Sequence, residues 1–308
     1  MSVPSRDTPG GRAYLDLQKK ARAEGRPTDE LLALYALEGF LGRLAVSEHI
    51  DNLVLKGGVL LAAYDTRRPT NDIDFQARTL ANDADTVLGL VRKISSIERD
   101  DGLIYDVADA MAEVIRDPDE YSGVRVVMTC HLARANIRFH VDVNVGDPVW
   151  PAPMHIDIPL LLGGSIGLSG YPLEMVHAEK IVTAVQRGIA NTRWRDFADI
   201  YLLSRRHEID GTRQRRSIMT VAVHRSVMLE PLADVLTGYA EFAQVRWANW
   251  VRKQRLDDRL PIDFSDILTE VQRFADPVLT DEVDGRTWDP AQRTWTLWAS
   301  QRHRSFAR

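Results

Sequence analysis

Apolar and polar positions alternate with two different periods along the chain, and the change of period organises it. Leu31, Leu34, Tyr35, Leu41 and Leu44 fall on a helical stripe. Thr28 is placed to cap that helix, with Asp29 and Glu30 in its first turn. A loose tail over residues 1–10 and a short helix over 14–24, ended by Gly25, precede it. Leu53-Val54-Leu55 is an apolar run of buried-strand length, followed by Lys56-Gly57-Gly58 and a helix-like stretch over 59–64. Asn71 to Phe75 alternates with period two, which predicts a half-buried strand. Asp83 can cap a helix carrying Val87, Leu90, Val91 and Ile94. The stretches 124–130 and 137–145 read as two strands of a hairpin, and the proline-rich stretch 148–159 as an extended linker or domain edge. Two strong helices follow over 172–187 and 194–206, and the pattern is helical throughout beyond about residue 215. A mixed α/β half is thus followed by a helical half.

Composition narrows the class. The 308 residues are 44% hydrophobic and 27% charged, the proportions of a globular chain with a core. No apolar stretch approaches a membrane span. The N-terminus carries charges where a secretion signal needs an apolar segment, and the single cysteine, Cys130, excludes an internal disulfide and a cysteine-based zinc site. A reducing cytoplasm is the expected location. The net charge of −5 gives no bulk attraction to nucleic acid, but it is unevenly spread. Between Lys180 and Arg225 stand ten Lys or Arg against four Asp or Glu, which leaves +6 there and −11 elsewhere. That window is either a solvated arginine-rich surface or a local anion site.

The informative chemistry is acidic. Residues i and i+2 of a strand share a face, so Asp72 and Asp74 stand side by side, with Ile73 and Phe75 turned to the core. Neighbouring carboxylates repel unless they are solvated, one is protonated, or a divalent cation bridges them. Mg²⁺ suits such a pair, since it takes one or two carboxylates together with substrate phosphates. Gly57-Gly58 permits a sharp turn and a close approach of phosphate to bare N–H groups. Alone, each feature is also common as a surface pair or a simple turn. From Ile137 to Val145 the odd positions are apolar, and Arg138, His140, Asp142 and Asn144 form the polar face. If that strand lies beside 72–75, three aspartates converge, enough to bind metal and deprotonate a hydroxyl.

These residues resemble the AbiEii-type nucleotidyltransferase toxins, which include the MenT proteins, within the DNA polymerase β-like nucleotidyltransferase superfamily. The resemblance rests on Gly57-Gly58-Val59-Leu60-Leu61, then Arg67 or Arg68, Thr70, Asp72-Ile73-Asp74, the lone strand aspartate Asp142, Glu174 to Lys180, and Arg195-Asp196-Phe197-Ala198-Asp199. Threonine and asparagine precede Asp72 where serine is common in the family. The resemblance implies an α/β (α+β) fold: N-terminal helices over 1–50, a nucleotidyltransferase core with a mixed sheet over 51–160, and a helical domain over 161–308 contributing Lys180 and Asp196 to the cleft. It implies that Asp72 and Asp74 hold Mg²⁺ on an NTP, and that Asp142 completes the metal site or serves as base. Lys180 would contact the triphosphate, Asp196 would be a required acid, and Arg193 or Arg195 would assist with phosphate. Gly57, Gly58 and Thr70 would line the nucleotide site.

The same resemblance implies NMP transfer to a tRNA 3′ end, blocked translation, and a cognate antitoxin. The +6 window and the last helices would then meet the RNA. Two alternatives stand beside this expectation: a nucleotidyltransferase acting on a protein hydroxyl or an aminoglycoside-like small molecule, and a catalytically silent binding protein on the same fold. Trp247 and Trp250 could stack a base, though their spacing also suits helix packing. Asp199 shares a helix face with Asp196; a plain salt-bridge cluster with Arg193 or Arg195 stands level with a functional role for Asp199 and behind it for Asp196.

Overall fold

The computed structural model describes residues 4–115 and 123–297 and divides the chain into two compact units. The first unit comprises residues 1–147 and 153–171, the second 148–152 and 172–308. The boundary therefore falls at Tyr171, later than the expected 160, because one more strand belongs to the first unit.

The first unit opens with α1 (Pro9–Ala23) and α2 (Thr28–Leu44). The side chain of Thr8 caps α1 with proline in the first turn, so the helix starts earlier than the expected 14. In α2 the cap position is Pro27, not Thr28, which is already helical. Strand β1 (Leu53–Lys56) leads into a single turn, α3 (Gly57–Leu60), then a 3-10 turn over 61–64. The helix-like stretch is thus two short turns. Strand β2 (Asp72–Ala77) and helix α4 (Ala84–Ser95), capped by Asp83, follow as the pattern predicts.

Next come β3 (Leu103–Tyr105), β4 (Met111–Ile115), β5 (Gly123–Leu132), β6 (Ala135–Val145), β7 (Met154–Pro159) and β8 (Ser165–Gly170). The strand order is β3-β5-β6-β2-β1-β8-β7, with β4 also on β5. The pairs β2–β6 and β1–β8 are parallel, and the others antiparallel. Only the stretch 148–153 of the expected linker is outside strands, since 154–159 forms β7. One face of the sheet is closed by α2: the ring of Phe40 lies 6.4 Å from those of Phe75 and Phe139. Ile73, Phe75, Phe139, Val141 and Val143 are buried. Period-two alternation then obliges Asp72, Asp74, His140 and Asp142 to the opposite face.

The second unit is built from α5 (Leu173–Arg187), α6 (Trp194–Ser204), α7 (Gly211–His224), α8 (Leu232–Val235), α9 (Tyr239–Gln254) and α10 (Phe264–Leu279). It is not helical to its end. Strand β9 (Ile209–Asp210) joins β10 (Arg286–Asp289) and β11 (Thr294–Leu297) in a small antiparallel sheet. The indoles of Trp288 and Trp295 pack there on Phe274. Trp247 is fully buried against Phe264 and Trp250, so it is a core residue and does not stack a base. Among the described residues no helix is long and apolar enough to cross a membrane.

Candidate active site

The carboxylates of the first unit lie in a cross-strand row. Asp142 on β6 is the register partner of Asp74 on β2, and His140 that of Asp72. Adjacent strands stand about 4.8 Å apart, so Asp74 and Asp142 are immediate neighbours. The row extends both ways: Glu113 on β4 faces Arg125 on β5, Arg125 faces Asp142, and Lys56 on β1 faces Asp74. Directly paired residues share a sheet face, so charge alternates across five strands except at the Asp142–Asp74 step. The expected convergence of three aspartates is therefore present in the backbone register.

Their side chains are arranged differently. Arg125 grips Asp142 with two hydrogen bonds, Nε to Oδ1 at 2.9 Å and Nη2 to Oδ2 at 2.6 Å. Those bonds, ahead of the opposing effect of burial, raise the Arg125 pKa above its usual range. A ring nitrogen of His140 meets Asp72 Oδ1 at 3.0 Å. Asp74 packs against the glycine turn. A Cβ on Gly57 would stand 1.9 Å from its Oδ2, and Gly57 has φ +67°. Glycine is thus required at 57 by the backbone and by the nearness of the carboxylate. Among the described residues no group of three or more His, Cys, Asp or Glu side chains is gathered as a metal-ligand cluster. The physical reason is that like charges separate unless a cation lies between them, and each carboxylate here turns to a local neighbour. The residues fit Mg²⁺ held by Asp72 and Asp74 with phosphate oxygens completing the shell, the two-carboxylate arrangement that a hard cation accepts. Asp142 would join through the lone pairs that the Arg125 contact leaves, or more fully if Arg125 releases an oxygen.

The segment before β2 is anchored from two sides. Glu38 on α2, buried, accepts hydrogen bonds from Arg67 and from the Leu161 N–H. Burial pushes the Glu38 carboxyl upward, and Arg67 opposes that shift. Arg67 is therefore an anchoring arm. Arg68, itself buried, is the arginine over the turn: its guanidinium nitrogens lie 3.1 and 3.2 Å from where a Gly58 Cβ would stand, as does Thr70 Oγ1 at 3.1 Å. Thr70 Oγ1 also accepts the Asp72 N–H at 3.4 Å. Because α3 is a single turn, any helix-dipole contribution behind Gly57-Gly58 is slight.

Sequence reasoning missed three residues of this row, Glu113, Arg125 and Lys56. Lys56 is buried, lies 3.4 Å from Asp147 and stands over the Tyr171 ring at 5.7 Å. Its signal was its place just before the glycine pair. Arg125 was legible too: a two-residue turn at Ala133-Arg134 pairs Leu132 with Ala135, and counting back pairs Arg125 with Asp142.

In the second unit, Lys180 on α5 donates to Asp196 Oδ1 at 2.9 Å and to Asp199 Oδ2 at 2.8 Å, both on α6. Arg193 Nε is 3.1 Å from the other oxygen of Asp196. Burial alone would push the Asp196 carboxyl up, but Lys180, Arg193 and Arg195 outweigh it and hold it at about 2. The cluster is a compact ion network, so the salt-bridge reading of Asp199 holds, and Asp196 shares in it. His177, one turn from Lys180, is fully buried, and burial lowers its pKa to about 3. It is a neutral core residue.

The +6 window is largely engaged inside its own unit. Arg213 pairs with Glu174, and Arg215 donates to the carbonyls of Val278 and Leu279. Arg216 stacks on Trp150, Arg225 donates to Thr183, and Arg205 pairs with Glu270. Of these, the contacts of Arg213 and Arg205 neutralise charge, while the others fix the side chains and leave their charge in place.

The model of the family described as nucleotidyl transferase AbiEii toxin, Type IV TA system, matches residues 39–294. No curated protein matches the chain significantly. Among solved structures, it is similar to a Helicobacter pylori protein described as a candidate nucleotidyltransferase, with TM-score 0.48 and 15% identity over 82% of this chain and 96% of that one. It is also similar to JHP933 from Helicobacter pylori, with TM-score 0.48 and 14% identity over 80% and 90% of the two chains.

Proposed function

The chain belongs to the AbiEii nucleotidyl transferase toxin family of type IV toxin–antitoxin systems, and from that premise we propose that it transfers a nucleoside monophosphate from an NTP to the 3′ end of tRNA and so blocks translation in the cytoplasm. A cognate antitoxin would restrain it. The observation that supports this reading most is the placement of Asp72, Asp74 and Asp142 on one sheet face in adjoining register.

In the reaction, the 3′-hydroxyl oxygen bonds to the α-phosphorus. The bond from that phosphorus to its bridging oxygen breaks, and pyrophosphate leaves with the electron pair. Mg²⁺ held by Asp72 and Asp74 would polarise the phosphoryl oxygens. His140 orients Asp72, and Gly57 lets Asp74 sit close against the turn. Arg68, at the Gly58 turn, is a fixed cation for phosphate oxygens. Asp142 serves as ligand or as the acceptor of the hydroxyl proton once Arg125 frees an oxygen. Lys180, with Asp196 holding its ammonium, and Arg193 or Arg195 are the second unit's candidate cations for phosphate.

The test incubates purified protein with total RNA, Mg²⁺ and each α-labelled NTP, for wild type and Asp72→Ala. Label in tRNA with wild type alone supports the reading. Label in protein or in an aminoglycoside instead would move the acceptor to the alternative class, and no transfer to any acceptor would overturn it.

A further inference from the structure

Lys56 is a buried cation that no step of the proposed reaction uses. It ends β1 and stands in register with Asp74 on β2. Directly paired side chains share a sheet face, so Lys56 stands beside one of the two carboxylates that suit Mg²⁺. It is only 7% exposed. A lysine so buried keeps its charge only where partners compensate it. Its Nζ lies 3.4 Å from Asp147 Oδ2 and 5.7 Å from the centre of the Tyr171 ring, and Asp147 is buried as deeply.

The ammonium therefore has carboxylates in two directions: Asp74 across the strand pair, and Asp147 just past the end of β6. A third acceptor stands on the same face. Gln76 is the diagonal neighbour of Lys56, at a spacing that a long side chain can cross. Gln76 is buried, and its Oε1 has no hydrogen-bond partner among the described residues. An unsatisfied buried carbonyl oxygen is costly, and it suits an ammonium that turns away from Asp74.

A cation opposite Asp74 acts in two ways on what binds there. It repels a bare divalent ion, because like charges a few ångströms apart oppose one another. It attracts a triphosphate, whose negative charge outweighs that of the ion it carries. Lys56 thus works against the free metal and for the metal–nucleotide complex. Asp147 and Gln76 set the balance, since they can take the ammonium when Asp74 gives its oxygens to a metal.

We propose that Lys56 is a gatekeeping cation: it admits Mg²⁺ to Asp74 together with a nucleoside triphosphate and not alone, and Asp147 is its positioning residue. The proposal rests on the assignment of Asp72 and Asp74 to a metal–nucleotide complex given above.

The test uses Mn²⁺, a stand-in for Mg²⁺ that takes the same oxygen ligands, and counts the free ion by electron paramagnetic resonance. Full-length protein is titrated with Mn²⁺ alone and with each of four α,β-methylene nucleoside triphosphates, which cannot transfer. Wild type, Asp147→Asn and the double variant Lys56→Met with Asp147→Asn are compared. The double variant removes the buried pair together and keeps the net charge of wild type. It should bind Mn²⁺ alone about tenfold more tightly than wild type. Nucleotide should then tighten Mn²⁺ binding about tenfold less than it does in wild type. Asp147→Asn leaves the ammonium to Asp74 and should weaken binding of Mn²⁺ alone about threefold. A merely structural pair would lower the melting temperature without moving the two Mn²⁺ affinities in opposite directions. Affinities that do not move apart would overturn the role of Lys56 and leave the metal site standing. Where the double variant fails to melt cooperatively, Asp147→Asn decides: weaker Mn²⁺ binding supports the role, and unchanged binding overturns it. If wild type takes up no Mn²⁺ beyond what each nucleotide binds by itself, the metal–nucleotide reading falls and this role with it.

Discussion

Replacing Arg125 by Gln removes the counter-charge that holds Asp142. The pair is bidentate, at 2.6 and 2.9 Å, and Asp142 is only 7% exposed, while Arg125 is a third exposed. Breaking a fully buried pair costs about 3–5 kcal/mol, and an exposed one at most about 1 kcal/mol. This pair lies between those limits, so Arg125→Gln should destabilise the metal-free protein by about 2 kcal/mol. At roughly 2–4 °C per kcal/mol, the Tm should fall by about 4–8 °C. The same change leaves three neighbouring carboxylates without the guanidinium, so Mg²⁺ should bind the variant more tightly than wild type. Mg²⁺ at ten times its Kd contributes about 1.4 kcal/mol. Differential scanning fluorimetry of wild type, Arg125→Gln, Asp142→Asn and the double variant, with and without Mg²⁺, reads both effects. Mg²⁺ should raise Tm more in Arg125→Gln than in wild type, and the double variant should lose less than the sum of the single ones. An equal Mg²⁺ shift in both proteins, or strict additivity, would refute the idea that Arg125 and a cation compete for Asp142.

Asp72→Ala should abolish Mg²⁺-dependent NMP transfer with an unchanged circular dichroism spectrum, because the residue is partly exposed and packs into no core. Gly57→Ala should cost about 1–2 kcal/mol in backbone strain and displace Asp74, so transfer should fall well beyond what the loss of stability explains; stopped-time assays beside a melting curve separate the two. Lys180→Ala leaves Asp196 and Asp199 buried without their ammonium and should cost about 3 kcal/mol; Lys180→Arg should restore much of the stability in chemical denaturation but not the full NTP transfer. The Asp196 pKa of about 2 lies below its ordinary 3.8, so its contribution is present above pH 4 and lost as pH falls toward 2. That amounts to about 2 kcal/mol at one unit of pKa per 1.4 kcal/mol, and acid unfolding monitored by fluorescence should move to higher pH in Lys180→Ala.

Much of this fold is written in short-range pattern. The strict alternation from Ile137 to Val145 gave β6, its inward face and the side on which Asp142 stands, since a strand allows only two faces. Asp83 was a legible cap because its carboxylate takes the Thr86 N–H. Edge strands were harder. β7 turns only Ile156 and Ile158 inward, and the prolines around it read as a linker. β10 and β11 are four residues each, anchored by Trp288 and Trp295, too short to interrupt a pattern read as helical throughout beyond about residue 215. Long-range electrostatics was the least legible. The resemblance implied phosphate contact for Lys180 but not that it serves two buried carboxylates from α6, a pairing that depends on how α5 and α6 pack. The basic window left two readings open in the same way, because counting charges does not show which side chains already have neighbours.

The central claim is that this acidic row directs nucleotide addition onto a free RNA terminus. It is tested most directly by offering wild-type protein and Mg²⁺ two tRNA pools with α-labelled NTPs, one with intact 3′ ends and one with its terminal ribose oxidised by periodate. The account predicts label in the intact pool only, with one pyrophosphate released per nucleotide added. Equal labelling of both pools, or pyrophosphate release without labelled RNA, would contradict it.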